Sequence, residues 1–496
     1  MLLLGIDVGT SSIKVSVVDP QTQECLATAQ HPEEESDILA PKAGWAEQAP
    51  DMWWEHAQAA ILKVNASGRY NPRDIGAIGI AYQMHGLVVV DKQQEALRNA
   101  IIWCDSRAVE IGNKAFAAIG EERSLSRLLN SPGNFTASKL AWVKTNEPEI
   151  YHNIDKIMLP GDYVAMRLTG EVTTSVSALS EGVFWDFQEN NLSGDVLGYY
   201  KFDSGLIPAI HPVFSEHGRV QQGIADELGL KAGIPVTYKS GDQPNNALSL
   251  NVLQPGEVAA TAGTSGVIYG VSDKLLYDPQ SRVNTFAHVN YTDSQKRLGM
   301  LLCINGTGSL NRWMKNLTGP GISYADMNQM AAAIPIGSNG LRVIPFGNGA
   351  ERMLNNKIVG THFHHIDLNL HSKAHLFRAA QEGIAFAFRY GLDIMRENGM
   401  NPSIIRAGQA NLFLSGTFTE AFVNATHVPV ELYLNDGSIG AALGAGIGAK
   451  VFASEKEAFT NSKKLRVVDP NYIDQYEPVY QEWKALLEKH LNETSS

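Results

Sequence analysis

Leu3-Leu4-Gly5-Ile6-Asp7-Val8-Gly9-Thr10-Ser11-Ser12-Ile13-Lys14-Val15-Ser16-Val17-Val18-Asp19 decides how this 496-residue chain is read. Two apolar, β-branched runs flank a Gly-Thr-Ser-Ser tip, the pattern of a tight hairpin. Backbone N–H groups and hydroxyls at such a tip converge on one anion, so Gly9, Thr10, Ser11 and Ser12 outline a phosphate cradle. Asp7 ends the first strand just before it, where a carboxylate can hold Mg²⁺ through water beside the same phosphates. Taken alone, the stretch also fits an ordinary turn.

A second segment, Gly256-Glu257-Val258-Ala259-Ala260-Thr261-Ala262-Gly263-Thr264-Ser265-Gly266-Val267-Ile268-Tyr269, repeats the plan, with Thr264 lying 254 positions (264 − 10) beyond Thr10. Half a chain length between two such tips implies two similar halves, each offering a hairpin to one nucleotide. The arrangement resembles the actin-like ATPase fold shared by sugar kinases, actin and heat-shock ATPases.

Size and composition agree with two units, because 496 residues exceed what one core usually holds. The formal charge of −12 and the lack of a basic stripe exclude an extended nucleic-acid partner. Cys25, Cys104 and Cys303 lie far apart, without metal-ligand spacing, and fit a reducing cytoplasm. The first residues read as a strand and not a signal peptide, and no run approaches the length of a membrane span.

Asp51 is placed to cap a helix from Met52 to about Val64, and Gly399 to close a long apolar helix from His375 to about Asn398. A small-residue strand, Asp74 to Ala81, delivers Gln83, Met84 and His85 to its C-terminal end, where ligands bind in open α/β sheets. Met84 and His85 suit a polyol, the thioether packing on carbon and the imidazole bonding hydroxyls. Trp103 offers an apolar face to a sugar, whereas Asp105 and Arg107 read as a structural ion pair. Asp242, between Gly241 and Gln243 at another strand end, reads equally as a helix cap or as a base that takes a hydroxyl proton. His362, His364 and His365, with His371 and His375 beyond, are read as a partly exposed strand and loop, not a metal centre. Ser438 to Gly448 is a helix so short of side-chain volume that a backbone or flat ligand must lie against it.

Together, Asp7-Val8-Gly9-Thr10, Gln83-Met84-His85-Gly86, Trp103-Cys104-Asp105-Ser106-Arg107, Gly241-Asp242 and Gly263-Thr264-Ser265-Gly266 resemble the FGGY carbohydrate kinases nearly end to end. Trp45-Ala46-Glu47-Gln48 and the Gln83 to Gly86 motif favour the branch acting on D-xylulose. The resemblance implies two ribonuclease-H-like (actin-like ATPase) α/β domains, 1–246 for sugar and 247–496 for nucleotide, with a central cleft. It implies a cytoplasmic enzyme, often a homodimer in this family, that uses ATP and Mg²⁺ to make D-xylulose 5-phosphate. Asp242 takes the role of general base; Gln83, Met84, His85, Trp103 and Gln243 hold the sugar. Thr10 to Ser12 and Gly263, Thr264 and Ser265 meet phosphates, and Asp7 lies near the metal. Gly308, Gly408 and Gln409 border the adenosine, although Ala407-Gly408-Gln409 stands where the family has three glycines. Gln243 after Asp242 is the glycerol-kinase choice, so another ketose or polyol, such as ribulose, glycerol or erythritol, stays open. A non-catalytic sugar-binding regulator is the reading of a different class, and no helix-turn-helix segment supports it.

Overall fold

The computed structural model describes residues 1–319, 321–434 and 436–493. Its first sheet contains β1 (Leu2–Val8), β2 (Ile13–Val18), β3 (Cys25–His31), β4 (Ile75–Tyr82) and β5 (Val236–Gly241), in the order β5-β4-β1-β2-β3. Its second contains β6 (Val258–Ala262), β7 (Gly266–Ser272), β8 (Asn284–Ala287), β9 (Leu298–Ile304), β10 (Ile405–Gly408), β11 (Val430–Tyr433) and β12 (Lys464–Val468), in the order β8-β9-β7-β6-β10-β11-β12. In each sheet the hairpin is antiparallel and two parallel strands follow on its other side: β4 and β5 beside β1, β10 and β11 beside β6. The repeat read from the two tips is thus a repeat of topology.

The hairpin strands are almost continuously apolar because both faces of each sheet are covered. Helices α1 (Pro50–Asn65) and α3 (Pro160–Thr169) cover one face of the first sheet. Pro50 opens α1 and Asp51 sits within its first turn without capping it. Asp51 instead accepts from the Tyr163 hydroxyl at 2.5 Å, so the expected cap is corrected to a tie between α1 and α3. On the second sheet, α7 (Lys373–Glu397) buries Phe377, Ile384 and Phe388 and ends at Gly399, whose φ of +87° is the left-handed geometry expected there. The remaining helices used below are α2 (Thr136–Asn146), α4 (Asp242–Ser249), α5 (Gly308–Leu317), α6 (Tyr324–Ala332), α8 (Gly437–Gly448) and α9 (Ile473–Glu493).

Helix α8 resolves its own odd composition. It lies on the other face of the first sheet, with its backbone against β1 and β4. A Cβ at Gly5 would overlap the Ser438 carbonyl oxygen, and one at Gly79 the Ala441 carbonyl oxygen. Small residues on both partners are therefore what lets the helix descend onto the strands. The histidine stretch forms an edge strand, Gly360–His364, half-buried throughout, with the His362 ring stacked on His490 of α9 at 3.9 Å. Among the described residues, no helix is long and apolar enough to cross a membrane, and no group of three or more His, Cys, Asp or Glu is arranged for a metal ion.

Replacing Gly79 by Ala forces α8 off the sheet and should cost about 1–3 kcal/mol or more. Gly223→Ala, in open space, should cost nothing. Calorimetric or denaturant melts of the two variants make the comparison, and equal stability would contradict the close approach.

Candidate active site

Three parallel strand ends meet at one edge of the first sheet. The register sets Val8 of β1 beside Tyr82 of β4, and Tyr82 beside Gly241 of β5. Asp7, the Gln83 to His85 segment and Asp242 therefore emerge together, where α/β sheets bind ligands. Gly241 precedes α4 and Asp242 is its first residue, so the carboxylate stands at the helix N-terminus.

Both acids are recessed and both resist ionisation. Withdrawal from water, then the nearby Asp7 charge, raises the Asp242 carboxyl to about 7, against hydrogen bonds from Gln243 that favour the charged form. Burial and then Asp436 raise Asp7 to about 6, with Lys14 opposing. Lys14 itself forms an ion pair with Asp436, whose carboxylate accepts from the Ser438 N–H at 2.9 Å and caps α8. Asp7, a recessed carboxylate at the strand end, is an oxygen donor of the kind that suits a hard divalent cation.

A cavity of about 470 Å³ opens beside Asp242, lined by Thr10, Met84, His85, Trp103 and Gln243 from the first half and by Ser265 from the second. Trp103 is 51% exposed and its indole donates to the Thr10 hydroxyl at 3.0 Å, tying the apolar wall to the first hairpin tip. His85 holds a left-handed φ of +60°, a costly conformation for this residue type. Lys139 of α2 fixes it by donating to the His85 carbonyl at 2.7 Å and the Ile102 carbonyl at 3.1 Å. Burial, then the Lys139 charge, pushes the imidazole down to about 3. It is therefore neutral, and Nδ1 donates to the Glu181 carbonyl at 3.2 Å, which leaves Nε2 as an acceptor.

Gln83 departs from expectation. It is buried behind the cavity wall, where Thr10 Oγ1 donates to its Oε1 at 3.3 Å and its Nε2 donates to Gln48 at 3.1 Å. Gln48 in turn donates to the Thr10 carbonyl at 2.8 Å. The pair shapes the hairpin from behind. Asp105 and Arg107 form the buried ion pair read from the sequence, 2.7 Å apart.

A second cavity, of about 650 Å³, lies on the far side of the second tip. Gly263, Thr264 and Gly308 line it, with Asn311 and Arg312 of α5, Tyr324 and Asn328 of α6, and Asn411, Leu412 and Leu414. Tip residue Ser265 faces the first cavity while Gly263 and Thr264 face the second, so one hairpin separates the two chambers. Gly308 packs its Cα against the Gly263 carbonyl. Gly408 ends β10, and the Gln409 N–H that follows donates to the Tyr433 carbonyl at 2.8 Å, just before the turn that walls this cavity. The one-turn 3₁₀ helix Asn411–Leu414 supplies part of the wall. At the first tip, Gly9 donates to the Ser12 carbonyl at 3.2 Å and closes the turn.

Sequence reasoning missed Gln48, Lys139 and Glu181 as members of the site. Lys139 left a signal, a lysine amid the buried residues of α2 that needs a polar partner. Gln48 stood in a quoted motif but its partner is 35 residues away, and only the fold brings them together.

The family model for the FGGY family of carbohydrate kinases, N-terminal domain, matches residues 2–249, and that for the C-terminal domain matches residues 258–449. The xylulose kinase of Escherichia coli (strain K12) is 28% identical over 464 residues, covering 92% of this chain and 91% of that protein. The crystal structure of a xyloylose kinase from Brucella ovis aligns with a TM-score of 0.88 at 25% identity over 98% of both chains. The xylulose kinase structure from Rhodospirillum rubrum aligns with a TM-score of 0.89 at 24% identity over 100% of both.

The raised carboxyls set a sign for stability. Ionised Asp242 burdens the folded state above pH 7, and the burden vanishes as pH falls below the unfolded value of 3.8. Asp242→Asn should therefore stabilise the protein at pH 8, by on the order of 1 kcal/mol or more, and the gain should disappear near pH 4. Denaturant melts at the two pH values read it, and a destabilised variant at pH 8 would refute the assignment.

Proposed function

The chain belongs to the FGGY family of carbohydrate kinases, and on that premise we propose that it transfers the γ-phosphoryl group of ATP to the terminal hydroxyl of D-xylulose. It is a phosphotransferase with an alcohol acceptor. One observation carries the assignment of chambers: the tip Gly263 to Ser265 divides a cavity holding Asp242 from a larger cavity walled by glycines and amides. The sugar takes the first and the nucleotide the second, so transfer crosses at the tip. In chain terms the sugar side is residues 1–246 and the nucleotide side 247–496.

Phosphoryl transfer asks a protein mainly for alignment and charge. Met84, His85 Nε2, Trp103 and Gln243 hold the sugar with its reactive hydroxyl at Asp242. The carboxylate accepts the hydroxyl proton as the oxygen forms its bond to phosphorus and ADP departs. Gly9 to Ser12 and Gly263 to Ser265 present N–H and hydroxyl groups to the phosphates. Asp7 is the residue that would hold Mg²⁺, which would supply countercharge for the phosphates. Asn328 and Asn411 offer the amides for an adenine edge. Enclosure between the halves keeps water from competing as acceptor.

ADP release should be stimulated by D-xylulose above D-ribulose, L-ribulose, glycerol and no sugar. Asp242→Ala should lower kcat by about 10²–10⁴ with little change in sugar affinity. Near-normal turnover in that variant would sink the base assignment, and preference for another polyol would move the substrate. Because the base must be ionised, kcat/KM should fall below an apparent pKa near 7, and a flat profile from pH 5 to 9 would argue against Asp242.

A further inference from the structure

The sugar chamber is not closed by the first half alone. Arg352, from the 3₁₀ turn Arg352–Leu354 of the second half, lines it. Its guanidinium lies over the Phe135 ring, 5.8 Å from the centroid. Among the described residues its side chain has no hydrogen bond and no ion pair. Desolvation lowers its pKa, as expected of a cation withdrawn from water without a counter-charge. It shares the chamber with the Asp242 carboxylate. Beside Phe135, the buried Asn134 Oδ1 also has no partner. A forked donor and an acceptor left unpaired on the wall of one cavity are the complement of a polyhydroxylated ligand.

The neighbouring residue leads to the nucleotide. Glu351 is buried, and its carboxylate accepts the N–H groups of Asn305 and Gly306 at 3.0 Å. The next residue, Thr307, donates its hydroxyl to the carbonyls of Gly263 at 3.1 Å and Thr264 at 3.2 Å. Gly308 and Ser309 donate their N–H groups to the same two carbonyls at 2.9 and 3.0 Å. A short, continuous hydrogen-bonded path thus runs from the Arg352 turn to the tip that faces the nucleotide cavity.

We propose that Arg352 is the second half's contact with the sugar, and that Glu351 passes its engagement to the Gly263 to Ser265 tip, so that sugar and nucleotide bind with positive coupling. This rests on the sugar-kinase reading of the chamber. Arg352 donates to sugar oxygens at the end remote from Asp242. Engaging them fixes the 351–352 turn, which then holds the tip ready for phosphate. Coupling of this kind is reciprocal, so it can be read from either ligand.

Titration calorimetry with D-xylulose, and with a non-hydrolysable ATP analogue plus Mg²⁺, separates the parts. In the wild type, saturating D-xylulose should tighten the analogue about 5- to 150-fold. Arg352→Gln should weaken D-xylulose about 10- to 100-fold and bring the coupling factor close to 1, while the analogue alone binds as before, which also shows that the variant is folded. Arg352→Lys should recover part of the sugar affinity. Glu351→Gln should keep sugar binding and lose coupling. Wild-type sugar affinity and coupling in Arg352→Gln would overturn the proposal. Failure of the wild type itself to bind D-xylulose would overturn the substrate reading and this inference with it.

Discussion

The close approach of helix α8 to the first sheet is the constraint on which the rest depends. The helix comes from residues 437–448, yet it covers strands built from the first 82 residues, and it can do so only because Gly5 and Gly79 present no side chain to it. That contact brings the N-terminus of α8 to Asp7 and pairs Asp436 with Lys14. It also seats α4, since the Asn245 amide donates to the Gly437 carbonyl at 2.9 Å. Helices α4 and α8 therefore lie together between the sheets, and the first carries Asp242 on its opening residue. The geometry of the base is inherited from a packing contact made of glycine and alanine.

Electrostatics add a second constraint that opposes stability. Asp7, Asp162, Glu181 and Asp242 crowd the strand ends, with Lys139 and Lys239 as the buried cations. Lys239 meets Asp162 at 2.6 Å, which settles one acid. Burial and then the Asp242 and Asp162 charges push the Glu181 carboxyl well above the usual carboxylate range. Lys139, brought down to about 7 by burial, spends its hydrogen bonds on two carbonyls. Asp242, on the wall of the first cavity, and Asp7, at the adjoining strand end, have no direct ion pair among the described residues. A fold selected for stability alone would pair them. Their isolation is what one expects of a base and a cation ligand waiting for partners that the chain does not contain.

Much of this was legible because it is local. Hairpin tips, the glycine at the end of α7 and the small-residue helix each announce themselves within about a dozen residues, and the repeat of one tip implied the repeat of a sheet. What was not legible has a common origin in distance along the chain. Gln83 looked like a sugar ligand because it adjoins Met84 and His85, but just past the strand end its side chain bonds to Gln48 and Thr10. Gly408 looked like an adenosine contact because it stands in the right place in the family pattern. The 3₁₀ turn that follows also supplies cavity wall, and its length could not be placed before the fold was seen. Arg352 gave no signal at all, since an arginine in a polar loop is unremarkable until its partners are found to be missing.

The composition of the sugar chamber bears on how one acceptor is chosen over others. Its apolar surface, from Met84, Phe135 and Trp103, cannot separate sugars that differ by one carbon more than modestly, whereas a buried group left unpaired by the wrong ligand discriminates strongly. The groups able to do this are the buried Asn134 Oδ1, which has no partner, and the Arg352 guanidinium. One comes from the first half and the other from the second. A ligand that satisfies only one leaves the opposite wall desolvated without a partner. Acceptor choice and closure of the cleft are then one event, which explains how a chamber with so plain an apolar floor can still be specific.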